Sequence, residues 1–201
     1  MKKPNPLDRS TASEKPIPTI DLALGQPGDI VLCHEQGFLA KAIRFGQRLR
    51  VPWVYSEWNH CAVLAAQSKG VVGWTVYEAE ATGISEQPLS SVGEYVIVSA
   101  DSFLVPGRSG GAAHVNRDRQ MAYARSAVGA KYGFLTILCI IVNIFTPRLI
   151  SFRRPGTLIC SAFAMRSLEH GGAISPVDPF QIQPAEVAEL AATGVIPSPI
   201  S

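Results

Sequence analysis

Between His60 and Ala100 the chain divides into three short strand-like runs, "HCAVLAA", "VVGWTVYEAEA" and "GEYVIVSA", separated by short polar connections. β-Branched and aromatic residues favour extended backbone, and links too short for a crossover helix can join only antiparallel neighbours. An antiparallel sheet is therefore the strongest constraint on the fold. Upstream, the turn signal Pro27-Gly28-Asp29 opens "GDIVLC", which reads as a further strand. The segment "GFLAKAIRFGQRLR" follows, with Phe38, Leu39, Ala42, Ile43 and Phe45 at roughly helical spacing and basic residues between them.

The second half reads differently. Met121, Ala124 and Val128 predict one face of a helix ending at Gly129, and the apolar run Phe134 to Phe145 predicts another that Pro147 stops. "TLICSAFAMRSLEHGG" predicts a third, with Thr157 as N-cap, an apolar stripe of Cys160, Phe163, Ala164 and Leu168, and Gly171-Gly172 as terminator. The fold class is α+β, an antiparallel sheet packed against helices.

Residues 1–24, rich in proline and small polar residues, read as a flexible leader, and 25–201 as a single domain. Lys2 and Lys3 have no apolar stretch behind them, so no secretory signal is expected. With four cysteines that lack paired spacing, the chain is expected to be cytoplasmic and its thiols reduced. The net charge of +2, from 18 basic and 16 acidic residues, is too balanced for a nucleic-acid surface. Phe134 to Phe145 would span only about 18 Å as a helix against roughly 30 Å of bilayer hydrocarbon. It is expected to be a core helix or to make a peripheral membrane contact, not to cross.

His60 and Cys61 are neighbours on a predicted strand, where successive side chains point to opposite faces, so the two cannot serve one site together. The same alternation argues against a metal centre built from Cys33-His34 and His60-Cys61, and no metal or other cofactor is implied. Cys160 is the cysteine that falls in the first turn of a helix, where the helix dipole and backbone N–H groups favour a thiolate. Cys33, Cys61 and Cys139 lie in apolar runs and read as inert buried thiols. A catalytic histidine needs an orienting partner, and Glu78 and Glu80 share one face of the strand after His60. Both remain candidates on spacing alone. His34, His114 and His170 read as surface residues.

In order along the chain, "GDIVL", "WNHCAVL", "VYEAEATGI", "VGAKYG", "LICSAF" and "QPAEVAEL" resemble the circularly permuted NlpC-type branch of papain-like cysteine hydrolases, the YiiX-like and LRAT-like proteins. The resemblance runs from Gly25 to about Leu190. It implies a permuted papain-like fold with the nucleophile Cys160 at a helix N-terminus, His60 as its base and Glu78 orienting the imidazole. It further implies Tyr132, Ile159 and Ser161 as substrate-contacting residues. Relatives that cut bacterial cell-wall peptides carry aspartate just before the cysteine, where a free amino group is received; here that position is Ile159. The expected activity is therefore a thiol hydrolase or acyltransferase cleaving an amide or ester through an acyl-enzyme, on a small-molecule, peptide or acyl-bearing substrate. The alternatives are a cell-wall peptide amidase or endopeptidase, and an inactive lipid- or protein-binding module on the same fold. Oligomeric state is not legible in the sequence.

Overall fold

The structure, a computed structural model, describes residues 15–49, 51–66, 73–80, 82–104, 114–132, 157–174 and 182–194. Two apolar runs set its centre. Ile30 to Cys33 and Cys61 to Leu64 are buried on both sides, so neither run alternates with polar residues. They form β2 (Ile30–His34) and β3 (His60–Leu64), the middle of a six-stranded antiparallel sheet. Its order is β1-β6-β2-β3-β4-β5, with β1 Thr19–Ile20, β4 Thr75–Glu80, β5 Gly83–Pro88 and β6 Glu94–Val98. A separate parallel pair joins β7 (Lys131–Tyr132) to β8 (Thr157–Leu158).

The two faces of the sheet bury different cores. On one, Ile30, Leu32, Cys61, Val63, Tyr77 and Ala79 pack with Met121 and Ala124 of α3 (Arg117–Ser126). The same cluster holds Phe163 and Leu168 of α4 (Cys160–His170) and Val187 and Leu190 of α5 (Pro184–Thr193). On the other face Val31, Cys33, Ala62, Leu64, Val76 and Ile97 form a smaller core with Leu89. The link from β2 to β3 is filled by α1 (Phe38–Arg48) and α2 (Trp53–Ser56).

Buried polar contacts fix α3 to the start of β2. Asp29 Oδ1 accepts from Arg117 Nη1 at 2.8 Å and from the Ala100 N–H at 2.9 Å, while Oδ2 accepts from the Gln26 N–H at 2.7 Å. Gln120 Nε2 donates to the Gly28 carbonyl at 2.6 Å. Gly28 has φ of 97°, and a Cβ there would lie 2.4 Å from Gln120 Oε1. Only glycine meets both conditions.

The architecture agrees with the α+β class and corrects several boundaries. The sheet begins before Gly25, because Thr19 and Ile20 pair with Val98 and Ile97 on its edge. Two residues bonded to a distant strand leave no periodicity to read. β5 occupies a stretch expected as a turn. Thr157 belongs to β8, and α4 starts at Cys160 with Ile159 in the N-cap position. α3 stops at Ser126, so Val128 lies beyond it and is exposed. The run from Phe134 to Phe145, Cys139 included, lies outside the described residues. Among those described, no helix is long and apolar enough to cross a membrane.

Candidate active site

His60 is the first residue of β3 and Cys160 the first of α4, so both candidate side chains stand at the ends of rigid elements that pack on one another. Burial opposes ionisation of the Cys160 thiol. The His60 charge, a hydrogen bond with the imidazole, and the backbone N–H groups of Cys61 and Ser161 outweigh it and hold the thiol's pKa below its ordinary value. For His60, burial acts to lower the pKa, but the charge and hydrogen bond of Cys160, followed by the hydrogen bond of Glu78, raise it well above the usual value. Both shifts act in the same sense, toward a thiolate beside an imidazolium. Ile159 supplies no side-chain cap to α4.

The sheet sets which carboxylate meets His60. His60 Nε2 stands 3.4 Å from Glu78 Oε2, and both side chains are buried. Ala62 is paired with Glu78, so the register carried two residues further sets Glu80 across from His60. Yet Glu80 is exposed. Strand twist brings one diagonal neighbour close, and a glutamate is long enough to span that diagonal.

Two residues that the sequence reading passed over also reach the site. Glu35 Oε1 lies 3.9 Å from His60 Nε2. Asn59 holds that residue in place: its Oδ1 accepts from the Glu35 N–H and its Nδ2 donates to the Glu35 carbonyl, both at 3.0 Å. The only sequence signal was an asparagine immediately before the histidine. Cys61 is buried, as expected of an inert thiol. Its side chain does not line the cleft, but it shares the buried core with Cys160, and its N–H bonds the sulfur. Alternation separates side chains, not backbone donors. Burial pushes the Cys33 thiol up to about 12 and raises that of Cys61.

The thiol opens onto a cleft of about 230 Å³, whose apolar lining includes Phe38, Ala40, Ile43, Ile159 and Pro184. That is below the roughly 300–1,000 Å³ of pockets that enclose drug-sized ligands, so it suits one group of a larger substrate. Ser161 lines the cleft too, but its hydroxyl donates to the Ile182 carbonyl at 2.6 Å, which leaves its N–H as the contribution to the sulfur. Tyr132 pairs with Leu158 through its backbone, and its side chain lies outside the described residues. On the other side of His60 a polar cavity of about 470 Å³ is lined by Glu78, Glu80, Glu94 and His34. Glu35 and Gln36 line both spaces.

No protein-family model matches this chain, and no curated protein matches it.

The other histidines lie elsewhere. His114 is exposed beside Asp101, and His170 stacks on Tyr123 at 4.2 Å between ring centroids. His34 departs from the expected surface position: it is partly buried and bonded to Arg44, with Glu57 3.8 Å away.

Proposed function

We propose that this protein is a thiol hydrolase or acyltransferase built on a permuted papain-like, NlpC-type fold, acting on an amide or ester whose acyl side is uncharged. The observation that carries the reading is Cys160 at the first position of α4, where an apolar cleft also lined by His60 opens and where His60 and the Cys61 and Ser161 N–H groups lower the thiol's pKa. The thiolate attacks the carbonyl carbon, and N–H groups at the start of α4 receive the oxyanion. The imidazolium gives its proton to the leaving amine or alcohol as the bond breaks. Water or another acceptor then loses a proton to His60, attacks the thioester and frees the sulfur. Glu78 keeps the imidazole in the working orientation throughout.

One observation favours a second reading, a peptidase for substrates with a free amino group. Ile159 cannot receive an ammonium, but Glu35 presents a partly exposed carboxylate in the same cleft. The test compares kcat/KM for a short acyl ester, a longer one and a peptide with a free amino terminus, in wild type and Glu35→Gln. Mass spectrometry of Cys160 for a trapped acyl group accompanies it. A preference for the esters that grows with chain length, unaltered in Glu35→Gln, supports the first reading. A preference for the free-amine peptide that Glu35→Gln abolishes supports the second. Absence of any adduct and any turnover in all three would sink both.

A further inference from the structure

We propose that α1 and the start of α2 form an interfacial face that docks the protein on an anionic lipid bilayer. From Gln36 to Ser56 the chain carries Lys41, Arg44, Arg48 and Arg50 and no acidic residue. Along α1 and its cap, Phe38, Phe45 and Leu49 fall at i, i+7 and i+11, within about 40° of one another around the helix axis. Phe38 is 91% exposed and Leu49 59%. Lys41, exposed, and Arg48 flank this stripe on one side. The Arg48 guanidinium lies 4.3 Å from the centroid of the Trp53 ring, itself 61% exposed, so the apolar patch continues into α2.

The helix is held with this side outward. Gln47, on the opposite side, is fully buried, donates to the carbonyls of Ser56 and Trp58 and accepts from the Ala185 N–H. α1 therefore cannot roll to hide its phenylalanines without breaking the three hydrogen bonds of the buried Gln47 side chain. An apolar stripe with an aromatic neighbour and flanking basic side chains is the composition that settles into the headgroup boundary of a membrane. Glu57 offsets part of the charge through Arg44 and Arg48, which leaves Lys41 as the cation best placed for an anionic headgroup. Phe38 also lines the cleft that holds Cys160, so docking would set the cleft mouth at the lipid boundary. Only that last consequence rests on the catalytic reading; docking does not.

The test uses the full chain with vesicles of phosphatidylcholine alone and of phosphatidylcholine mixed with phosphatidylglycerol. Partitioning is read by flotation, and depth by quenching of tryptophan fluorescence with brominated lipid. Binding should require phosphatidylglycerol and weaken as salt rises. Phe38→Ser with Leu49→Ser should lower the partition coefficient more than tenfold with thermal unfolding unchanged. Lys41→Glu should lower it at least about fivefold. Quenching should vanish in Trp53→Phe, although Trp58 and Trp74 remain. The proposal is overturned if wild type ignores anionic vesicles, or if quenching survives in Trp53→Phe, which would point to another face. It is equally overturned if the double variant instead dissolves a concentration-dependent dimer, making a second copy the occupant. Catalysis is not read, so failure of the enzymatic assignment leaves each outcome interpretable.

Discussion

At the scale of single residues, the fold decides which of several chemically similar groups can react. Cys33, Cys61 and Cys160 are all buried, but of these three only Cys160 has its pKa lowered, by the His60 charge and hydrogen bond and by two backbone N–H groups. Its folded pKa lies below the ordinary thiol value of about 8.5. The thiolate should therefore form at lower pH than for an ordinary cysteine and be lost as pH falls through that depressed value. Alkylation of Cys160 should show this low-pH rise and then stay level, while turnover should fall again at high pH as His60 loses its proton above its raised pKa. Mass mapping across pH checks both limbs, with Cys33 and Cys61 lagging throughout. In His60→Ala the two backbone N–H groups alone oppose burial, and alkylation at neutral pH should drop at least about tenfold. Glu78→Gln should reduce kcat by about tenfold or more, whereas Glu80→Gln should change it less than about twofold. Equal losses in the two variants would show that the carboxylate on Nε2 is not the orienting group.

At the scale of elements, the site depends on where a strand and a helix begin. β3 opens with His60 and α4 with Cys160, so each functional side chain is carried on the end of a rigid segment and not on a free loop. Thr157 misled the reading of the helix start because a threonine ahead of an apolar stripe is a good cap in isolation. It is engaged as a strand partner of Lys131 instead. The turn before β2 has an equally specific demand. Gly28→Ala would put a side chain at positive φ and against Gln120, and should destabilise the protein by about 1–3 kcal/mol. A shift of the urea midpoint without a change in slope would register this; an unshifted midpoint would mean that Gln120 moves aside at no cost.

At the scale of the whole molecule, Asp29 joins parts of the chain that are remote in sequence. It bonds Ala100 and Arg117, 71 and 88 residues away, and is 1% exposed. Its neighbour Gly28 meets Gln120 of the same helix that Arg117 begins. Asp29→Ala should remove roughly 3–5 kcal/mol of stability, because it strands buried donors rather than deleting one surface contact. Chemical denaturation measures the loss directly. A change within about 0.5 kcal/mol would show that water takes over the carboxylate's role.

The sequence by itself determined the elements and the chemical types: apolar runs for β2 and β3, a cysteine at the head of an amphipathic helix, a histidine on a strand and carboxylates on the next one. Those are local properties, set by a period of two or 3.6 and by composition. Spacing left Glu78 and Glu80 open and only the resemblance favoured Glu78; the tertiary structure alone showed the Glu78 contact with His60, the arrival of Glu35 and Asn59, the influence of the Cys61 N–H on Cys160 and the joining of β1 to β6. Each depends on register, diagonal reach across a twisted sheet or contact between distant segments, and periodicity along one chain carries none of that information.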